Sequence, residues 1–173
     1  MIVSLKSRIR LRVLALMFAA IFTASCGFTP MHAPAGAAGA FGNMAIELGT
    51  DIAVDDKEAA FWVQQRLTER LGNQSAAAQI LEITPTTRRR GLGISGQDVA
   101  TRYDLSMSLK YKLTDAKTGK VLDRGTISSI STYTASNDPY ALIATEKATT
   151  KQLAADAADR LLTRVAGYFA SKT

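Results

Sequence analysis

A chain of 173 residues with 47% hydrophobic residues can bury one core of ordinary size. Its formal charge of +6 overstates its basic character. Four of the 21 lysines and arginines, and none of the 15 acids, precede Cys26, which leaves +2 on the remainder. That balance excludes the cationic excess of a nucleic-acid binder, and a single cysteine excludes an intrachain disulfide.

Lys6, Arg8, Arg10 and Arg12 precede an apolar run from Val13 to Phe22, and Thr23-Ala24-Ser25 lead into Cys26-Gly27. A basic stretch, a short apolar stretch and small residues make a secretory signal over 1–25. The run is too short to cross a bilayer core, which takes about 20 residues. Cys26 stands where a bacterial lipoprotein carries its S-diacylglycerol, with an N-palmitoyl group added after cleavage. Two or more chains anchor stably where one does not. Thr23 departs from the leucine most common three positions before the cysteine. A plain signal peptide with an incidental cysteine, or an uncleaved anchor, is the alternative. Acylation would remove a free thiol that an exported protein otherwise has to tolerate. Gly27, in place of an aspartate that would retain the protein at the inner membrane, favours the cell outer membrane and a periplasm-facing domain.

Residues 26–43 hold Pro30, Pro34, Gly36, Gly39 and Gly42 among alanines, and read as a flexible tether. His32, the sole histidine, lies in it and reads as idle. A single domain follows over 44–173. Met44, Ile46 and Leu48 alternate with polar or small residues, as in a short strand. Asp55 reads as a helix cap with Glu58 as capping-box partner. Ala60, Val63, Leu67 and Leu71 form one helical stripe, and Gly72-Asn73 ends the helix. Phe61 and Trp62 fall off that stripe and either widen it or form a second apolar face for a partner. Residues 78–87 read as a strand, and 88–96 as a loop. Tyr103, Leu105, Met107, Leu109, Tyr111 and Leu113 alternate with polar residues, the mark of a long strand with one buried face. A turn at 115–120 joins it to a partner strand from Val121 to Tyr133. Apolar parity shifts between Ile127 and Ile130, as a bulge would produce. Asn137-Asp138-Pro139 opens a final helix running to about Ala170. Its apolar face carries Ile143, Ala154, Ala157, Ala158, Leu161, Val165 and Tyr168, with Lys147 and Lys151 snorkelling at the edge. The order β-α-β-β-β-α predicts an α+β two-layer sandwich, two helices packed on one face of a four-stranded sheet.

Gly91-Leu92-Gly93-Ile94-Ser95-Gly96 fits G-x-G-x-x-G, but a strand rather than a helix follows it, so it lacks the context of a dinucleotide site. Thr118-Gly119-Lys120 resembles the end of a P-loop, but Thr114 stands where glycine is required. One histidine and one cysteine, both outside the domain, give no metal set and no triad base, so no catalytic or metal residue and no cofactor is expected. Arg88-Arg89-Arg90 place three guanidiniums together. They are either solvated or bound to an anion such as phosphate or carboxylate, for which the planar fork is well shaped. For an exported protein a phosphorylated glycolipid fits better than RNA.

Cys26-Gly27-Phe28-Thr29-Pro30-Met31-His32, Ala100-Thr101-Arg102-Tyr103-Asp104-Leu105, Tyr111 to Asp115 with Thr118 to Val121, and the helix from Tyr140 to Phe169 together resemble the LptE family of lipopolysaccharide-assembly lipoproteins. The resemblance covers nearly all of the chain after the signal. It implies a plug and assembly partner of an LptD-like outer-membrane β-barrel, without covalent chemistry, that binds lipopolysaccharide. Arg88, Arg89, Arg90, Lys110 and Lys112 are the expected lipopolysaccharide-binding residues on physical grounds, with Lys117, Lys120 and Arg124 as weaker candidates. Phe61 and Trp62 are the expected contacts with the barrel wall. The competing reading is a free-standing periplasmic-facing lipoprotein that binds a small ligand or serves an ABC transporter.

Overall fold

The structure, a computed structural model, describes residues 43–72, 77–94 and 100–172. The signal, Cys26, the tether and the end of the glycine motif lie outside the described residues. The elements are β1 (Met44–Leu48), a 3-10 turn (Val54–Asp56), α1 (Lys57–Leu71), β2 (Gln79–Ile94), β3 (Ala100–Asp115), β4 (Val121–Thr134) and α2 (Pro139–Ala170). The sheet order is β1-β2-β3-β4. β1 runs parallel to β2 because a helix connects them, while β2, β3 and β4 form an antiparallel meander. Both helices lie on one face, α1 over β1 and β2, and α2 over β3 and β4. The two-layer α+β sandwich expected from the element order is the observed fold.

The alternation along β3 sets the core. Leu105, Met107, Leu109, Tyr111 and Leu113 are all buried. They meet Leu81 and Ile83 of β2, and from the helices Val63, Leu67, Leu153, Leu161 and Val165. Ala154, Ala157 and Ala158 are fully buried in the middle of α2, where a short side chain lets the backbone approach its neighbours closely. The helices are tied side by side by Arg66, which donates from Nε and Nη2 to Asp159 at 3.2 and 2.8 Å.

Four local expectations are corrected. First, 88–94 is strand rather than loop. Arg88, Arg89 and Arg90 each face a β3 partner, respectively Ser106, Leu105 and Asp104, and the length of β3 carries β2 through its glycines. Second, Asp55 does not cap α1. The 3-10 turn shifts the helix start to Lys57, and the N-cap position falls on Asp56, whose side chain caps nothing. The buried Asp56 carboxylate instead accepts from the Thr87 backbone N–H at 2.6 Å and from its hydroxyl at 2.7 Å, pinning the helix start to β2. Third, the register between β3 and β4 shifts beside Leu113 and Thr114, not between Ile127 and Ile130. Ile127 points inward, whereas Ile130 points outward and is 69% exposed, so the change of parity reflects an apolar residue on the open face. Fourth, Ile143 is exposed. Trp62 lies beside Lys151 and only five residues of α1 precede it, so the first turns of α2 reach past the neighbour that would have covered Ile143.

Ser129 is a buried hydroxyl on the helix-facing side of β4. It donates to Asp156 of α2, which Arg160 also contacts at 2.9 Å. The Ser129 hydroxyl, and then Arg160, hold the Asp156 carboxyl below the usual carboxylate range against the opposing effect of partial burial. A lowered folded value means this contribution is present above the unfolded value of about 3.9 and is lost as pH falls through the folded value. Ser129→Ala should cost about 1 kcal/mol at neutral pH, at the low end for a charged hydrogen bond because Asp156 is partly exposed. The gap between variant and parent should close on acidification below about pH 4 in urea melts followed by circular dichroism.

Candidate functional site: the open face of the sheet

Period-two alternation sends every second residue of β2, β3 and β4 away from the helices. Cross-strand register arranges these residues in rows: Glu82, Lys112, Arg124; Thr84, Lys110, Thr126; Thr86, Ser108, Ser128; Arg88, Ser106, Ile130; Arg90, Asp104, Thr132; and Leu92, Arg102, Thr134. Hydroxyls and cations therefore make up most of the face, with the acids Glu82 and Asp104 and the apolar Leu92 and Ile130 among them. A shallow depression of about 400 Å³ lies at its centre, bordered by Arg88, Lys110 and Ile130 over Thr86, Ser106, Ser108 and Ser128. It exists because three strands place short hydroxyl side chains side by side between longer ones.

The charges on this face divide into two groups. Lys112 is neutralised by Glu82 across the ladder. Asp104 faces Arg90 but turns toward β4, where it accepts from the Thr132 hydroxyl at 2.6 Å. Among the described residues, no carboxylate lies within ion-pair distance of Arg88, Arg90, Arg102, Lys110 or Arg124. Four of these five are arginines, whose donors form bidentate contacts with phosphate and carboxylate.

The structure thus sorts the five basic residues expected to bind lipopolysaccharide. Arg88, Arg90 and Lys110 share the open face without ion pairs. Lys112 shares the face but is paired. Arg89 points the other way: it lies against α2, bonded to Glu146 at 2.8 Å and set 5.2 Å from the centre of the Tyr103 ring. Glu146 raises the affinity of Arg89 for its proton, and the half-exposed ion pair ties β2 to α2. An odd position within a strand cannot share a face with its two neighbours. Of the weaker candidates, Arg124 lies on the open face and Lys117 and Lys120 lie at the β3–β4 turn. Arg102 was missed. Its signal was the alternation itself, which extends one step beyond Tyr103 and puts Arg102 in phase with Asp104 and Ser106.

Phe61 and Trp62 lie on the opposite layer. Phe61 is 56% exposed, while Trp62 is half-buried against the core. Their rings meet edge to face at 4.9 Å, and the Lys151 ammonium sits 4.5 Å from the centre of the Trp62 ring. Among the described residues no cluster of His, Cys, Asp and Glu is placed to hold a metal, and no helix is long and apolar enough to cross a membrane.

The described residues form a small α+β domain with both helices on one side of the sheet and a polar surface on the other. A lipoprotein of Caulobacter crescentus CB15 is similar, with 26% identity, a TM-score of 0.66, and coverage of 80% of this chain and 98% of that one. The rare lipoprotein B of Shewanella oneidensis has 20% identity and a TM-score of 0.55 over 72% of this chain and 93% of its own. A minor lipoprotein of Acinetobacter baumannii has 14% identity and a TM-score of 0.54 over 73% and 92%. At those two lower identities the likeness is one of fold. No curated protein matches the sequence. The profile described as LptE, lipopolysaccharide-assembly, matches residues 50–165, and the chain belongs to the LptE family.

Proposed function

We propose that this protein is an outer-membrane lipoprotein, acylated on Cys26, that acts as plug and assembly partner of an LptD-like β-barrel and engages lipopolysaccharide through the open face of its sheet. The observation that carries the reading is a set of five cations on the open face, Arg88, Arg90, Arg102, Lys110 and Arg124, without ion pairs among the described residues, two of which, Arg88 and Lys110, border a hydroxyl-floored depression. All five are exposed, so water solvates them when nothing is bound and their donors stay open to an external anion. Phosphates and acidic sugars supply that anion in many copies, and Ile130 offers an apolar rest beside it. A rigid sheet holds the donors in fixed positions, so binding does not have to order a loop first. Recognition by surface complementarity needs no general base, nucleophile or metal.

The barrel partnership is tested by purifying the tagged full-length lipoprotein from outer membranes in mild detergent at native expression. Co-elution with a large β-barrel, identified by mass spectrometry, is the expected result. Recovery of the protein alone would remove the plug role. Metabolic labelling with palmitate should mark the protein, and Cys26→Ser should abolish the label and release the domain from the membrane fraction.

A further inference from the structure

The two edges of the sheet are finished differently. Thr87 of β2 directs its backbone N–H toward the β1 side, where Asp56 accepts it. The N–H and C=O of a strand residue point the same way, and the direction alternates along the strand. The registers carry that parity across the sheet. Odd residues of β4 therefore bond to β3, while Arg124, Thr126, Ser128, Ile130 and Thr132 direct their backbone groups outward. β4 ends the strand order, and among the described residues no backbone hydrogen bond from a turn, loop or cap reaches it. The opposite edge is blunted. β1 pairs with β2 only as far as Ile83. Beyond it Pro85 has no N–H to offer and Asp56 takes the Thr87 N–H, and such devices keep an open edge from pairing. β4 carries none of them: from Gly125 to Thr134 it has neither a charged residue nor a proline.

We propose that β4 accepts an extended segment of the barrel partner as an added antiparallel strand. In such pairing the main-chain groups supply the attraction, and the side chains beside the edge select the sequence. Arg124 is exposed and has no ion pair among the described residues. Ile130 is 69% exposed because no strand lies beyond it. Both stand on the open face, six positions apart on the one strand. An antiparallel newcomer continues the meander and sets an acid opposite Arg124 and an apolar side chain opposite Ile130. Its sequence therefore reads an apolar residue followed six positions later by an acid, with hydroxyl residues at the alternate positions facing Ser128 and Thr126. A closed barrel wall has no free edge, so the segment comes from a loop or an inward-folded part of the partner. This inference rests on the barrel partnership proposed above. It uses Arg124 and leaves Arg88, Arg90, Arg102 and Lys110 to the anionic ligand.

Proline at an outward position separates main-chain pairing from side-chain contact. Ser128→Pro removes an outward N–H without breaking the ladder to β3, whereas Ser128→Ala removes the same hydroxyl and keeps the N–H. The tagged full-length variants are purified from outer membranes at native expression. The barrel should co-elute with the parent and with Ser128→Ala and be lost from Ser128→Pro, while all three keep the same far-UV spectrum. Thr126→Pro, at another outward position, repeats the test should Ser128→Pro fail to fold. A second arm needs no barrel. The lipoprotein alone is titrated with a capped nine-residue peptide of threonine and valine, with leucine at its second position and glutamate at its eighth. The peptide should slow amide hydrogen exchange at Thr126, Ser128 and Ile130. Ser128→Pro should weaken its binding roughly tenfold, the loss of one main-chain hydrogen bond, and Arg124→Glu should transfer preference to a peptide with lysine in place of the glutamate. Equal recovery of the barrel with Ser128→Pro and with the parent overturns the proposal and leaves the partnership standing. Absence of the barrel from the parent removes the partnership, and the barrel segment with it. A peptide that leaves exchange along β4 unchanged overturns the proposal as well. So does a lipoprotein that is dimeric on its own with these amides already protected, because a second copy would then occupy the edge.

Discussion

Replacing Arg88, Arg90 and Lys110 together by serine is expected to weaken binding to lipopolysaccharide aggregates by roughly 100-fold, from about 1 kcal/mol for each cation facing an anionic surface. The variant should also flatten the dependence of binding on salt, because exposed charge contacts are screened over about 8 Å at physiological ionic strength. Surface plasmon resonance at several salt concentrations measures both. The decisive control is the residue between the first two. Arg89 points to the helices and is bonded to Glu146, so Arg89→Ser should leave binding unchanged and lower stability by about 1 kcal/mol, from a half-exposed ion pair and a contact with Tyr103. Lys112→Ser should change binding less than Lys110→Ser, because Glu82 already satisfies Lys112. Equal losses of binding from Arg88→Ser and Arg89→Ser would show that the arginines act through general charge rather than through the geometry of the sheet face.

A second large effect is expected in the core. Leu109 is fully buried at the middle of β3. Leu109→Ala should cost about 3 kcal/mol, the removed transfer energy plus the cavity left behind. Ala157→Leu adds volume where α2 lies in close contact and should cost about 2 kcal/mol through overpacking. Ile130→Ala removes a comparable side chain from the same sheet but from its open face, where the residue is 69% exposed, and should change stability by less than about 0.5 kcal/mol. Thermal melts of the three variants measure the ordering. An Ile130→Ala variant as unstable as Leu109→Ala would mean that the open face is packed rather than free.

Much of this was readable from residue order. The six-residue alternation from Tyr103 to Leu113 located β3 and its two faces. The element order then constrained the architecture, because two helices can cover only one side of a four-stranded sheet. Less readable was anything that depended on a neighbour. Arg88, Arg89 and Arg90 with Gly91 and Gly93 look like a loop when read locally. They extend as strand because β3 offers sixteen residues of ladder for them to pair with. That pairing also divided the arginines, which adjacency in sequence had grouped. Asp55 and Glu58 satisfy the spacing of a capping box, yet the chain places its carboxylate at Asp56, where the backbone N–H of Thr87 needed an acceptor. Ile143 has the periodicity of a core residue and lacks a core only because α1 does not reach it. Residues whose environment is set by their own strand or helix were legible, and residues whose environment is set by another element were not.

The short strand β1 has a mechanical meaning. It occupies an edge and pairs with β2 over five positions, from Met44 opposite Gln79 to Leu48 opposite Ile83, while the β2–β3 ladder extends from Gln79 opposite Asp115 to Ile94 opposite Ala100. Any tension that arrives from the N-terminal side enters the domain at Asn43 and is carried first by those five positions. β1 would therefore yield before the meander, drawing Met44 out of the core while the cationic face stays intact. The residues freed in this way would add reach on the N-terminal side while the open face of the sheet keeps its ladder.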